Sequence, residues 1–391
     1  MASAVKGASV VIIGGGVVGA SVAYHLAAAG VADVIVLDRG AEPGAGSSGR
    51  ATGGFRAQFS TAMNVRLSLL ARERLRRFEE ETGVDPGFEP VGYLWLARDE
   101  AALAALAAAR AVQHAEGLTE ARAVTPEEIA ALNPAVRLDG IVGGAFCPTD
   151  GTVRPLDLLH GYRAAATKLG ARFRYGQEVT GLVRGGDGRI TSILAGRQRY
   201  AAERVVNAAG PWAAAVARWA GVTLPVAPLK RQIAVTRPFE GLPPTMPMTI
   251  FLEDGFHLRV RDGRVLLLWP TDPDGASPFD TTVDPGWVSA VFAKARERIP
   301  VLGGARVDEA LCAAGLYEMS PDRHAILGVA PGCPNLYLAN GSSGHGVMHA
   351  PALGLLLAEI LKDGRASTLD VTPLRPTRFD EGAAFPPSEL L

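Results

Sequence analysis

At 391 residues the chain is long for one compact core and suits two tandem or interleaved domains. With 48% hydrophobic and 20% charged residues it can bury a large core, which excludes a disordered chain. Its 39 basic and 40 acidic residues nearly cancel, which excludes the basic excess of a nucleic-acid surface and leaves a small-molecule enzyme as the expectation. The three cysteines, Cys147, Cys312 and Cys333, form no CxxC pair and suggest free thiols in a reducing cytoplasm. No HExxH motif occurs among the seven histidines, so no metal site is expected.

Residues 8–29 are almost wholly apolar, which resembles a signal or membrane segment. Gly14, Gly15, Gly16 and Gly19 in the middle of this run argue against a span, and no membrane crossing is expected. The β-branched run 10–13 predicts a strand buried on both faces. It feeds a GxGxxG turn, then a helix closed by Gly30, then a strand 34–37 ending at Asp38 and Arg39. In such a unit Gly14 permits the tight turn, Gly16 the approach of a pyrophosphate, and Gly19 close packing of helix on strand. The helix start at Val17 and Val18 offers N–H groups and positive dipole to phosphates. Asp38, nineteen residues after Gly19, is placed to accept from ribose hydroxyls. Strand, glycines, helix, strand and acid in this order make a Rossmann-type dinucleotide site.

Further along, residues 46–50 form a small-residue loop with Ser47 and Ser48, able to lie along a bulky cofactor. Strand 91–96 and helix 100–116 follow, then a helix opened by a capping box from Thr125 to Glu128 with Pro126 at its first position. A helix over 156–169 leads to strands that include Val179, and strand 204–207 ends in a small-residue turn at Ala209 and Gly210. Residues 225–300 read as β-rich, with a two-residue hairpin at Asp262-Gly263. Near the end, strand 336–339 runs into a second glycine-rich turn with Gly344, His345 and Gly346, ahead of a helix expected over 350–361. A cofactor gripped from both chain ends is long, which favours FAD over NAD. The expected fold is α/β, a Rossmann-like FAD-binding domain interleaved with a β-sheet-based substrate domain. The first is assigned 1–85, 150–224 and 323–391, the second 86–149 and 225–322.

These motifs resemble the D-amino-acid oxidase superfamily of FAD enzymes, and within it the sarcosine oxidase and L-proline dehydrogenase β-subunit branch. The likeness rests on the N-terminal fingerprint and on 46–59, 205–210, 314–322 and 341–346, and it covers essentially the whole chain. It implies oxidation of an amino-acid C–N bond by hydride transfer to flavin N5, the imine then hydrolysing and oxygen being reduced to peroxide. The substrate implied is a small secondary or N-methyl amino acid such as sarcosine. The alternative is an L-proline or D-amino-acid dehydrogenase that passes electrons elsewhere, and a flavoprotein subunit for assembly or electron relay, or a tRNA- or metabolite-modifying relative, stays open. By resemblance Arg56 holds the substrate carboxylate, Tyr317 and His257 face the substrate, and His345 lies at the flavin-contacting turn with Gly315, Val347 and Met348. The plainer alternatives are a surface arginine at Arg56, core packing for His257 and a helix cap at His345. Relatives attach flavin covalently through a cysteine at the position of Gly315, and oxidases place an oxygen-activating lysine near Leu266. Both groups are missing here, as is the lysine that pairs with the carboxylate-binding arginine, replaced by Met348. Since 44–54 also lacks the histidine that is the other covalent attachment among relatives, FAD is expected to bind non-covalently. A monomer or homo-oligomer is expected, and a hetero-oligomer stays open.

Overall fold

The structure is a computed structural model describing residues 5–271 and 277–386. Residues 1–4 and 387–391, at the ends of the expected FAD-binding segments, and 272–276, in the expected β-rich stretch, lie outside the described residues. Two eight-stranded sheets carry the architecture. The first is built on parallel strands in the spatial order Leu336–Asn340, Gln198–Asn207, Val5–Ile13, Val34–Leu37 and Arg172–Arg174. Antiparallel additions at Ile326–Val329, Ile190–Ala195 and Val179–Arg184 complete it. Chain order reverses on either side of Val5–Ile13, so the carboxyl end of that strand is the switch point where α/β sheets open a crevice.

The apolar run at 8–29 is explained by burial on every side. Val10 and Ile12 point into one core cluster, Val11 and Ile13 into another. The helix Val17–Ala28 that follows is buried along nearly its whole circumference, packed between Pro155–Lys168 and Gly346–Asp363. Contact with the last helix is close: a Cβ on Gly354 would lie 2.1 Å from Ser21 Oγ, which itself donates to Ala350 O at 2.8 Å. Gly30 closes the helix with φ +82°, as expected. Among the described residues no helix is long and apolar enough to cross a membrane, and all three cysteines are free thiols.

The second sheet runs Ala313–Met319, Ala227–Val235, Arg264–Leu268, His257–Arg261, Met248–Phe251, Tyr93–Ala97, Gly143–Cys147 and Arg122–Val124. The hairpin at Asp262-Gly263 has φ of 51° and 68°, both positive, as a two-residue type I′ turn requires. The capping box at Thr125 and Glu128 also forms. One face of this sheet packs Leu94, Leu96, Phe256 and Leu258 against a helix, Pro285–Arg298. That helix corrects the expectation of β structure throughout 225–300, and its start signal was present: Asp284 caps Gly286 N, with Pro285 in the first turn. The last helix likewise begins at Gly346, not at 350, because Pro351 falls inside it without ending it.

Candidate active site

Between the carboxyl ends of the first sheet and the open face of the second lies a cavity of about 1580 Å³. Typical small-molecule pockets hold about 300–1,000 Å³, so this one has room for a dinucleotide and a small substrate together. The glycine turn forms its floor. Gly14 has φ +106°, and a Cβ there would lie 2.2 Å from Ala208 O; one on Gly19 would lie 1.9 Å from Gly14 O. Only glycine lets helix and strand meet so closely. Gly16 caps the helix without a side chain, leaving N–H groups of the first turn facing the cavity. Ser48 Oγ accepts from Val17 N at 3.0 Å, which leaves the hydroxyl proton for a second acceptor. Ser47 instead donates to Leu316 O at 2.8 Å, tying this loop to the second sheet.

Asp38 sits at the end of Val34–Leu37, its two oxygens accepting from Gly15 N and Gly40 N, each at 2.6 Å. Lone pairs remain on both oxygens for hydroxyl donors. Val179, Ala209 and Gly210 line the cavity nearby. Arg39 lays its guanidinium 3.6 Å from the centre of the Trp212 ring, which stacks on Phe279 at 5.6 Å. Trp212 was not anticipated from sequence. At the opposite side Gly344, Gly346, Val347 and Met348 line the cavity where the last helix begins.

The substrate-side candidates converge on the same cavity. Arg56 is buried, and its Nη1 donates to Gln58 O at 2.6 Å while the guanidinium lies 3.9 Å above the Phe59 ring. Burial lowers its pKa to about 10, where it still holds its proton at neutral pH. Its Nη2 lies 3.3 Å from His345 Nε2. A guanidinium has no lone pair, so the imidazole accepts there and carries its own proton on Nδ1. His345 is therefore the residue before the last helix, but its ring engages Arg56 and Phe59 and makes no cap bond. His349, one turn on, faces Ser68 Oγ at 2.9 Å, and no cluster among the described residues is able to hold a metal.

Strand alternation sends Phe256 and Leu258 into the core and His257 to the cavity. His257 Nδ1 donates to Gly255 O at 2.7 Å, so Nε2 is left as an acceptor. Burial drives its pKa down to about 4, so the ring is neutral. Tyr317 is 37% exposed to the cavity, its ring covering Gly344, where a Cβ would fall 2.5 Å from Tyr317 Cε2. Gly315 faces Arg50, whose Cβ would lie 3.2 Å from an added one.

Several residues of this wall were not anticipated. Tyr93 and Trp95 come from the second sheet, beside Met248 and Ile250 in register. The Trp95 indole lies 5.3 Å from the Arg56 guanidinium, and its buried N–H has no partner. Asp150 accepts from Ala57 N at 2.7 Å and from Gln58 Nε2 at 3.2 Å, holding the Arg56 loop from below. Arg259 shares the strand face of His257 and pairs across to Leu266, yet only its Nη1 has a partner, Gly53 O at 3.3 Å. An alternating His-x-Arg-x-Arg pattern at 257–261 was the available signal, since polar residues on one face of a buried strand need a reason.

FAD fits this cavity. The glycine turn, Asp38 and the turn at Gly344 are distributed along it, and the helix start at Gly16 carries no side-chain cap that would block a phosphate. Comparison with known proteins agrees. The family model for FAD dependent oxidoreductases (DAO) matches residues 9–360. The mitochondrial dimethylglycine dehydrogenase of Mus musculus is 32% identical over 95% of this chain, which spans 44% of that protein's length. Among solved structures, L-proline dehydrogenase from P. horikoshii superposes with a TM-score of 0.89 at 27% identity, covering 97% of this chain and 99% of that one. Glycine oxidase from Geobacillus kaustophilus gives 0.84 at 26% identity, over 95% and 99%. The chain belongs to the DAO family of FAD dependent oxidoreductases.

Proposed function

We propose that the protein oxidises the C–N bond of a small secondary or N-methyl amino acid, sarcosine-like, with oxygen as electron acceptor. The carrying observation is Arg56: a charged guanidinium buried in the wall of a largely apolar cavity, with its loop fixed by Asp150 and its face by Phe59. Such a group is suited to bind and orient a carboxylate. FAD, when bound, would supply the redox chemistry, as acceptor of a hydride from the carbon beside nitrogen whose two electrons pass, with two protons, to oxygen as peroxide.

The chain's own residues bind, orient and exclude water. Arg56 holds the carboxylate, with Met348 standing where the resemblance places a second cation. His257 turns a neutral Nε2 to the cavity, placed to accept from the substrate's N–H and orient its nitrogen. Tyr317 closes the wall above Gly344. The imine leaves and hydrolyses in water, which for sarcosine yields glycine and formaldehyde. We further assign cofactor binding to 1–85, 150–224 and 323–391 and substrate cover to 86–149 and 225–322. FAD is held non-covalently, since Gly315 offers no nucleophile.

A second reading, an L-proline or D-amino-acid dehydrogenase, is favoured by the likeness to the P. horikoshii fold and by a cavity lined, among the described residues, by arginines and no lysine. Sarcosine, L-proline and D-alanine, each assayed with oxygen and with an artificial dye, separate the two. Peroxide with sarcosine supports the oxidase; dye reduction without peroxide supports the dehydrogenase. A flavin that no amine bleaches anaerobically overturns both.

A further inference from the structure

Behind the cavity, the end of the chain is fastened to two of the segments that shape it. Among the described residues none after Met348 lines the cavity. Yet Arg378, in the short turn Pro376–Phe379, has a side chain with 0% exposure and reaches back to Asp322. Its Nε donates to Asp322 Oδ2 at 2.8 Å and its Nη2 to Asp322 Oδ1 at 2.9 Å, a two-pronged pairing that fixes orientation as well as distance. Its other bonds go to the carbonyls of His324, Leu374 and Arg375. Phe385 completes the attachment: its N–H donates to Asp322 Oδ2 at 3.3 Å, and its ring stacks on His324 at 3.8 Å.

Two chains of hydrogen bonds run forward from this attachment. In the first, His324 O accepts from Arg378 Nη2 at 3.1 Å and from the Ser320 hydroxyl at 2.7 Å. Ser320 N then donates to Ser343 Oγ at 3.1 Å, and that hydroxyl donates to Gly341 O at 2.9 Å, inside the turn at 341–346. The second runs through the His324 ring. Its Nδ1 donates to Asp322 O at 2.7 Å and burial lowers its pKa, so the neutral ring's Nε2 accepts from the Thr61 hydroxyl at 2.8 Å. Thr61 stands between the loop that carries Arg56 and helix Ala62–Arg76. Arg323 and Ser343, both in this network, hold left-handed backbone, with φ of 58° and 49°. Residues other than glycine keep that conformation only where their surroundings enforce it, and such positions cluster at functional sites.

We propose that Arg378 is a positioning residue: through Asp322 and His324 it holds the turn at 341–346 and the end of the Arg56 loop in one fixed relation. This rests on the assignment of that turn to FAD and of Arg56 to the substrate carboxylate. Neither Arg378 nor Phe385 reaches the cavity, and each acts through its neighbours. Coupling of this kind is reciprocal: the factor by which the attachment strengthens FAD binding is the factor by which FAD strengthens the attachment.

Arg378→Met alone would strand a buried carboxylate, so the test removes both charges together, in Asp322→Asn/Arg378→Met, with Phe385→Ala as a milder variant. In the double variant the FAD dissociation constant is expected to rise about tenfold, and KM for the best amino-acid substrate by about the same factor. Phe385→Ala should move both constants in the same direction by less. A role in folding alone would lower the amount of active enzyme, and with it the apparent kcat, and leave both constants where they are. A mutation-free measurement stands beside this. Hydrogen exchange at the Phe385 amide should slow by about tenfold when FAD is added to the stripped wild-type chain, relative to helix Pro126–Leu132, which does not line the cavity. Both constants within about twofold of wild type in the double variant, or a Phe385 amide indifferent to FAD, overturn the proposal. If the wild type turns over no amine, the function proposed above falls, and the FAD constant and the exchange rate still decide this inference. A wild-type chain that takes up no FAD overturns the cofactor assignment and this proposal together.

Discussion

The two long walls of the cavity are built by different means. Along the glycine turn, main-chain geometry sets every position: φ of +106° at Gly14, and a Gly19 so close to Gly14 O that a methyl has no room. On the second sheet the positions are set by register. Trp95, Ile250, His257 and Leu268 stand in one row across four strands, and Tyr93 and Met248 share a neighbouring row. Main-chain constraints act within thirty residues and leave a motif. Register constraints join residues up to about 170 positions apart and leave only an alternation in each strand.

The largest expected effect tests the first wall. Gly19→Ala places Cβ 1.9 Å from Gly14 O, and backbone cannot give way there without moving the helix start. FAD affinity should fall by more than about 100-fold, since the phosphate N–H groups move with the helix. Retained yellow colour after gel filtration at low protein concentration would show that this wall is looser than its geometry implies. Next comes Arg56→Met, which keeps length and removes the charge. The ratio kcat/KM for amino acids should drop by roughly 10²–10³, about 3–4 kcal/mol, while FAD affinity stays within threefold. An unchanged kcat/KM would remove Arg56 from carboxylate recognition.

That contrast also explains what was legible. The glycine fingerprint, Asp38, the turn at 344–346 and the capping box at Thr125 were readable because each needs particular residues at fixed local spacing. His257 and Tyr317 were found only through resemblance, and the cavity does bring them together with Arg56 and His345. Trp95, Asp150 and Arg259 were missed because an aromatic, an acid and a cation in separate segments share no spacing. Helix Pro285–Arg298 is hard to read for a different reason: its apolar stripe interrupts a stretch dominated by strand and turn signals, and its Asp-Pro start resembles a turn.

Asp150, in the turn after Gly143–Cys147, holds the Arg56 loop beside the register-built wall and offers a pH test of that support. Burial raises its carboxyl from 3.8 to about 6 in spite of the Ala57 and Gln58 donors. A raised carboxyl pKa gives a contribution to stability that is full below about pH 4 and is lost as pH rises through 6. Relative to wild type, Asp150→Asn should therefore gain stability from pH 4 to 7, by up to about 3 kcal/mol for a two-unit shift. Denaturant melts of both proteins across that range give the answer. Parallel profiles would mean that the Ala57 and Gln58 donors and Arg56 hold the carboxylate ionised throughout.

The smallest expected effect falls on the most unusual residue of the second wall. Arg259 is 1% exposed, with Nε and Nη2 unpartnered and Nη1 on Gly53 O. Burial lowers its pKa to about 10 and does not discharge it at neutral pH. Taking such a cation out of water is costly, and replacing a poorly compensated one by an apolar side chain of similar volume is often neutral or stabilising. Arg259→Met should leave the stability of FAD-stripped protein within about 1 kcal/mol of wild type, in contrast to the severe effect of a single methyl at Gly19. A loss of about 3–5 kcal/mol would instead mean that the guanidinium, through Gly53 and Tyr93, fixes the loop leading to Arg56. In that case the register-built wall would be as tightly determined as the glycine turn, and the difference between the two would lie only in how each is written along the chain.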